Sequence, residues 1–325
     1  MTFRWGILGT ADIADVFIRA VNNSSNCRVQ AAAGRDIGRA KQWAAARDIP
    51  ETYGSYGDLI ASDSIDGVYV PLPNSLHHEW TLVAIAAGKP VLCEKPLATN
   101  AAQAQEIRDA AERAAVPVAE GFMYRHHPIY QEVFKLIGSG VIGEVTTIEA
   151  QFTFFLDDPT SISASAPLAG GALMDVGCYC VHLARWVAGC EPARVSAFEI
   201  RREVDETMVG LLAFPNEILA HFETGIAGAE RHRAEIAGTT GSIVLPSPWH
   251  PGEEKAELLV RRWGQPDETF TVPGADPYQL QVEQFVDAVT GGKPFAWQLD
   301  DSVNNMAVID ALFASAATGR SVTLT

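Results

Sequence analysis

Two short stretches of this 325-residue sequence carry side chains of the kinds that move protons. The first is Val91-Leu92-Cys93-Glu94-Lys95-Pro96-Leu97, an apolar run that stops at an acid, an ammonium and a proline. Such a run reads as a buried strand that delivers Glu94 and Lys95 to its C-terminal edge, where open α/β sheets bind ligands. Proline restricts the backbone of the residue before it, which places Lys95 well for chemistry. Taken alone, Lys95 reads more readily as a lysine that snorkels out of a strand end, and its context has to overturn that. The second stretch is Gly170-Gly171-Ala172-Leu173-Met174-Asp175-Val176-Gly177-Cys178-Tyr179-Cys180-Val181-His182. If a helix begins at Asp175, then Asp175, Tyr179 and His182 fall at i, i+4 and i+7 and share one face. A core-facing stripe would be leucine-rich and a solvated one freely charged, so this mixture suits a wet cleft; a half-buried helix edge is the alternative.

These residue types fit one reaction. Removing hydride from an alcohol carbon requires that the hydroxyl proton leave too, so a base must reach that oxygen. Tyrosine, with its ordinary pKa near ~10, is a poor base unless a positive charge favours its phenolate. Lys95 supplies such a charge and can donate a hydrogen bond to the oxygen as it turns negative. Asp175 would accept from substrate hydroxyls, and His182 would extend that surface.

The surrounding elements explain how such residues are held. Phe3–Leu8 reads as a strand running into Gly9-Thr10-Ala11-Asp12-Ile13-Ala14 and then a helix, a turn that offers backbone N–H groups to a pyrophosphate. Strands are expected at Val29–Ala33, Ile65–Val70, Val91–Cys93 and Val116–Glu120, with helices between them, after Asp36, Ser75 and Asn100. This alternation means a parallel sheet wound on both faces. Beyond Gly121, after one helix near 128–137, strand-like stretches dominate: Val145–Phe155, Val195–Arg201, Thr207–Phe214, Ile218–Thr224 and Arg233–Ile236. Further helices are expected at Met174–Val187, Gln279–Val289 and Ser302–Ala317. The fold class is therefore α/β: a Rossmann-type doubly wound parallel sheet over 1–121, then an α+β domain over 122–325 with an open, mostly antiparallel sheet.

Composition narrows the partners. A net charge of −16 repels nucleic acid and anionic membranes, while 47% hydrophobic residues fit a folded soluble protein. The five cysteines show no two-residue gap of the zinc-ribbon kind and read as reduced cytosolic thiols. No spanning apolar run or signal-peptide pattern is present, so a cytoplasmic location is expected. His77-His78 and His126-His127 lack the i, i+4 pairing with glutamate that zinc hydrolases use, and no metal is expected.

Four motifs, Glu94-Lys95-Pro96, the Gly-Thr-Ala-x-Ile-Ala turn, Gly121-Phe122-Met123-Tyr124-Arg125-x-His127-Pro128 and Gly170-Gly171-Ala172-Leu173-x-Asp175-Val176-Gly177-x-Tyr179, occur in order with Gly238-Thr239-x-Gly241 and a closing Ser315–Arg320 segment. Together they resemble the glucose–fructose oxidoreductase/inositol dehydrogenase (Gfo/Idh/MocA) family across nearly the whole chain. The resemblance implies a nucleotide-binding first domain, an open sheet in the second, and hydride transfer where the two meet. Tyr179 stands where many members carry histidine, which is similar to the branch of aldose dehydrogenases, dihydrodiol dehydrogenases and sugar ketoreductases. Lys95 and Tyr179 are then the catalytic pair, with Asp175. An aldose oxidised at its anomeric carbon is the leading substrate; a keto-sugar, an anhydro-sugar or a cyclic diol is the alternative. A non-catalytic dinucleotide sensor would need neither Lys95 nor Tyr179.

Within this reading, Gly9, Thr10, Ala11 and Ile13 hold the pyrophosphate, Leu72, Asn74 and His77 lie near the ribose or nicotinamide, and Glu94 accepts from ribose hydroxyls. Gly34, not an acid, follows the second strand, and Arg35 with Arg39 one turn later suits a 2′-phosphate, so NADP is expected over NAD. Trp249, His250 and the 157–167 loop either line the substrate pocket or form an oligomer contact. The open sheet has a second face to cover, and strands such as Ile218–Thr224 carry apolar residues on both sides, so a homodimer through that sheet is expected.

Overall fold

A computed structural model of the chain describes residues 2–291 and 298–324. The chain divides into two compact units, Met1–Met123 with Tyr278–Val303, and Tyr124–Pro277 with Asn304–Thr325.

The first unit is built on β1 (Phe3–Leu8), α1 (Ile13–Asn23), β2 (Cys27–Ala33), α2 (Ile37–Ala45), β3 (Glu51–Tyr53), α3 (Tyr56–Ile60), β4 (Gly67–Val70), α4 (Asn74–Ala86), β5 (Val91–Cys93), α5 (Ala101–Ala114) and β6 (Val118–Glu120). Its strands form a sheet of order β3-β2-β1-β4-β5-β6, every neighbouring pair parallel. The order reverses between β1 and β4, which opens a crevice at the strand carboxyl ends. β4 and β5 are buried at every residue, as a sheet covered on both faces requires. Trp5 packs edge-on to Phe17 at 5.3 Å and against Phe285 at 5.1 Å.

That last contact corrects the expected boundary. The helix Pro277–Gly291 sends Val282, Phe285 and Val286 into the cluster of Phe3, Trp5, Ile7 and Phe17, so most of a helix assigned to 122–325 belongs with the first unit. The physical reason is burial: three apolar side chains at helical spacing complete a core that the N-terminal stretch leaves open.

The second unit holds α6 (Ile129–Gly138), β7 (Val145–Phe155), a π-helical turn at Leu173–Gly177 continuous with α7 (Cys178–Ala188), then β8 (Arg194–Arg201), β9 (Asp205–Ala213), β10 (Leu219–Gly225), β11 (Ala227–Gly238), β12 (Gly241–Leu245), β13 (Lys255–Arg262) and β14 (Glu268–Pro273). After α8 (Pro277–Gly291) come α9 (Leu299–Thr318) and β15 (Val322–Thr323). The sheet runs β14-β13-β12-β11-β7-β10-β9-β8-β15, antiparallel except where β7 meets β10. One face is buried through Ile148, Ala150, Phe152, Met208, Leu212, Ala220 and Phe222. The other presents Phe198, Ile200, Val209, Leu211 and Leu219, all exposed, with Phe198 directly opposite Val209. No helix among the described residues is long and apolar enough to cross a membrane.

Candidate functional site

In the first unit, β1 ends in Gly9, whose φ of +101° suits glycine and whose N–H donates to Ala33 O at 2.8 Å. A Cβ at Gly9 would lie 2.9 Å from Leu72 Cδ2, so the missing side chain is what lets the turn close over the sheet. α1 starts at Ile13, and Asp12 before it makes no side-chain cap. The first N–H groups of α1 are therefore not consumed by that carboxylate, and with the helix dipole they suit a phosphate. Thr10, Ala11 and Ile13 line this turn half-buried. The turn thus fits the pyrophosphate of a dinucleotide.

At the end of β2, Arg35 and Arg39 are exposed. Asp36 accepts the Arg39 N–H at 2.9 Å and caps α2, so the one acid here is engaged by its helix. Burial raises the phenol pKa of Tyr56, at the start of α3, and the Arg35 charge opposes that rise.

The next strand ends meet through one histidine. His77 is fully buried, with Nδ1 2.8 Å from Pro96 O and Nε2 2.7 Å from Leu72 O. Both ring nitrogens face backbone carbonyls, so His77, expected near ribose or nicotinamide, braces the backbone of that strand end and does not offer a ring nitrogen to a ligand. Burial holds its pKa below the ordinary value, opposed by the two carbonyls and aided by the Lys95 charge. His77 instead braces the Leu72 turn to the residue that follows Lys95. Asn74 opens α4, half-buried. Glu94 is nearly buried, and Tyr69 from β4 donates to its Oε1 at 2.7 Å. Burial first, and the Glu94 charge next, push the Tyr69 phenol well above its usual range, so it stays a donor. Lys95 itself is half-buried and joined to Pro96 by a cis peptide.

In the second unit the glycines before Asp175 have steric causes. A Cβ at Gly170 would sit 2.5 Å from the carbonyls of Ile162 and Ser163, and one at Gly171, where φ is +111°, would overlap Asp205 Oδ1. The close approach lets Ser163 Oγ donate to Asp175 Oδ2 at 2.7 Å, which ties the 157–167 loop to Asp175. Asp205 Oδ2 accepts the Leu173 N–H at 2.7 Å where the helix begins. Burial pushes the Asp205 carboxyl up to about 6 against that hydrogen bond.

Asp175 lies in the π turn and not in a regular α-helix, a wider winding often found at functional positions. Tyr179 is nearly buried among aromatic rings, 5.6 Å from Tyr124, 5.5 Å from Phe152 and 5.7 Å from Trp249. Trp249 is fully buried, stacked on Phe152, with Nε1 donating to Gln151 O at 2.9 Å. Its role is to wall this cluster. The ring of His250 lies 6.1 Å from that of His232.

His182 departs from expectation. It is fully buried, and its Nδ1 pairs with the Tyr124 hydroxyl in a short hydrogen bond. A wet cleft is therefore not where its ring lies; it backs Tyr124, whose ring faces Tyr179. Tyr56, Tyr69, Tyr124 and Asp205 were not anticipated from sequence. No local pattern marked Asp205, because its approach to Gly171 joins residues far apart in the chain. Among the described residues, no group of three or more His, Cys, Asp or Glu is placed to hold a metal ion.

Comparison with known proteins places both halves of the chain. Residues 3–122 match the oxidoreductase family with an NAD-binding Rossmann fold, and residues 130–244 match the GFO/IDH/MocA C-terminal domain. A D-xylose 1-dehydrogenase (NADP(+)) of Haloferax volcanii is 36% identical over 98% of this chain and 99% of its own. A trans-1,2-dihydrobenzene-1,2-diol dehydrogenase of Xenopus laevis is 37% identical over 77% of this chain and 78% of its own. Among solved structures, the 3-ketoreductase KijD10 from Actinomadura kijaniata, in complex with NADP and TDP-benzene, superposes with a TM-score of 0.93 at 30% identity, covering 97% of this chain and 98% of that one.

Proposed function

Because the chain belongs to the GFO/IDH/MocA family of oxidoreductases, we propose that it moves hydride between NADP and a hydroxyl-bearing carbon of a sugar-like substrate, with an aldose oxidised at its anomeric carbon as the leading case. The observation that carries the reading is the fit of the Gly9 turn to a dinucleotide pyrophosphate, in the unit that also holds Glu94 and Lys95 at the end of β5. Full-length similarity to an NADP-dependent xylose dehydrogenase supports the aldose. Reduction of a keto-sugar, by the same residues in the opposite direction, is supported by the likeness to a 3-ketoreductase.

Bound nicotinamide supplies the hydride acceptor or donor. The protein's residues handle the proton and the charge. Tyr179 takes the hydroxyl proton of the substrate, and a nearby positive charge is what makes its phenolate accessible at neutral pH. Lys95 supplies that charge and donates to the oxygen as it becomes negative. Asp175, held by Ser163, accepts from a neighbouring substrate hydroxyl and fixes which carbon faces the ring. Glu94, oriented by Tyr69, accepts from ribose hydroxyls of the cofactor. Arg35 and Arg39 favour the 2′-phosphate of NADP.

A second copy of the chain covers the exposed face of the large sheet, giving a cytoplasmic homodimer; the apolar side chains Phe198, Ile200 and Leu211 on that face support this. The function is tested by mixing the purified protein with a panel of aldoses, keto-sugars and diols and either cofactor while following reduced-nicotinamide absorbance. Turnover with an aldose and NADP is expected. Silence across the whole panel would favour a dinucleotide-sensing protein.

A further inference from the structure

The reaction described above leaves one pair of histidines unused, and both stand in the second unit. Along β11, Ile236, Ala234 and His232 lie opposite Ile148, Ala150 and Phe152 of β7, so all six share the covered face of the sheet. Ile236 and Ala234 are fully buried, whereas His232 is half-buried. An imidazole thus replaces an aliphatic side chain where the covered face begins to open. Its ring meets Phe152 at 4.5 Å, and Phe152 in turn meets Tyr179 at 5.5 Å. His232 therefore stands one ring away from the phenol assigned the substrate proton.

His250 reaches the same place from the segment between β12 and β13. Its backbone is held on several sides. Tyr130 donates from its hydroxyl to Pro248 O at 2.7 Å, Trp249 Nε1 donates to Gln151 O at 2.9 Å, and Ser247 Oγ donates to His250 O at 2.6 Å. The two imidazole centres are 6.1 Å apart. That is too wide for one ring to hydrogen-bond the other, and it suits a single oxygen set between them. His77, His127 and His182 spend ring nitrogens on protein partners. Among the described residues, neither His232 nor His250 makes a ring hydrogen bond, and Glu230 comes no nearer His232 Nε2 than 3.7 Å.

The chemistry of the pair narrows what it could hold. Burial lowers the pKa of both rings, with the His232 charge adding to this at His250 and the Glu230 charge opposing it at each. A neutral imidazole has one N–H to donate and one ring nitrogen to accept. A sugar hydroxyl likewise donates and accepts. A phosphate brings negative charge, which the Glu230 carboxylate beside the pair repels.

We infer that His232 and His250 form a specificity-determining pair, which holds a hydroxyl of an uncharged sugar remote from the carbon whose hydroxyl proton Tyr179 takes. This rests on the oxidoreductase reading given above, and its test separates the two.

The test is steady-state turnover of the full chain with an accepted aldose, its monodeoxy analogues at each carbon away from the reacting one, and its phosphorylated form. His232→Phe keeps a ring against Phe152 but removes both ring nitrogens. It should raise KM for the parent aldose by roughly threefold to tenfold, the scale of one lost hydrogen bond, with kcat changed far less. One deoxy analogue should show that higher KM already in the wild type and no further rise in the variant. His250→Ala should single out the same analogue, and His232→Gln, which can still donate and accept, should restore part of the loss. The phosphorylated sugar should be the poorer substrate of the wild type. If His232→Phe and His250→Ala raise KM equally for the parent and every analogue, or lower kcat with KM unchanged, the pair reads no hydroxyl and the inference is overturned while the oxidoreductase reading stands. A phosphorylated sugar preferred by the wild type would overturn it as well. A wild type that turns over no sugar with either cofactor would remove the oxidoreductase reading and this inference with it.

Discussion

The Tyr69 hydroxyl donates to Glu94 Oε1 at 2.7 Å, from a ring stacked on Phe17 with centroids 3.9 Å apart. The phenol stands on β4 and the acid just beyond β5, so neighbouring parallel strands set the carboxylate before any ligand arrives. Tyr69→Phe should therefore lower stability by about 1–3 kcal/mol, the range for a buried hydrogen bond to an acidic group. It should also weaken cofactor binding by a few-fold, through Glu94. Denaturant unfolding and calorimetric titration check the two effects; unchanged values in both would show that Tyr69 does not orient Glu94.

Asp205 predicts a pH dependence with a definite sign. Its folded-state value of about 6 lies above the ordinary 3.8, so the folded chain holds this proton more tightly than the unfolded chain does. The cost of its buried charge is absent below the ordinary value and fully present above about 6, where the difference amounts to about 3 kcal/mol at 1.36 kcal/mol per unit. Asp205→Asn retains an oxygen for the Leu173 N–H and removes the charge. Its stability relative to wild type should rise between about pH 4 and about pH 7, as read by urea unfolding at several pH values. Parallel curves for the two proteins would show that Asp205 does not titrate in this window.

The exposed face of the large sheet predicts an assembly. Phe198 is 75% and Leu211 55% exposed, and open antiparallel sheets seldom leave such residues in water. Light scattering at micromolar concentration should give a dimer, and Leu211→Glu should shift it to a monomer with turnover largely retained. A monomeric wild type would refute the homodimer.

The sequence disclosed the fold wherever a strong period of two or 3.6 ran for several residues. β7 was expected at Val145–Phe155 and lies there, and α7 differs from its expected span by a few residues because the helix opens as a π turn. β3 escaped because it is three half-buried residues at a sheet edge, too short to show alternation. β13 and β14 escaped because their pattern is interrupted by charges that pair across strands, such as Arg262 with Glu268. The placement of α8 was illegible because Phe285 finds Trp5 across most of the chain, a contact that no local pattern encodes. At the candidate site, residue type marked Lys95, Asp175 and Tyr179, but it did not reveal that His77 and His182 would be buried on other partners. Imidazole serves equally as a ligand contact or an internal brace, and only packing separates the two.

The central claim is that Lys95 and Tyr179 act on the substrate oxygen and not on the dinucleotide. The most direct measurement is turnover of Tyr179→Phe and Lys95→Met, by reduced-nicotinamide absorbance with an accepted sugar, beside calorimetric cofactor affinity of the same proteins. A loss in kcat of about a hundredfold or more for each, with cofactor affinity within a few-fold of wild type, is the predicted result. Near-full turnover by Tyr179→Phe, or a loss in Lys95→Met explained entirely by failure to bind the cofactor, would contradict it.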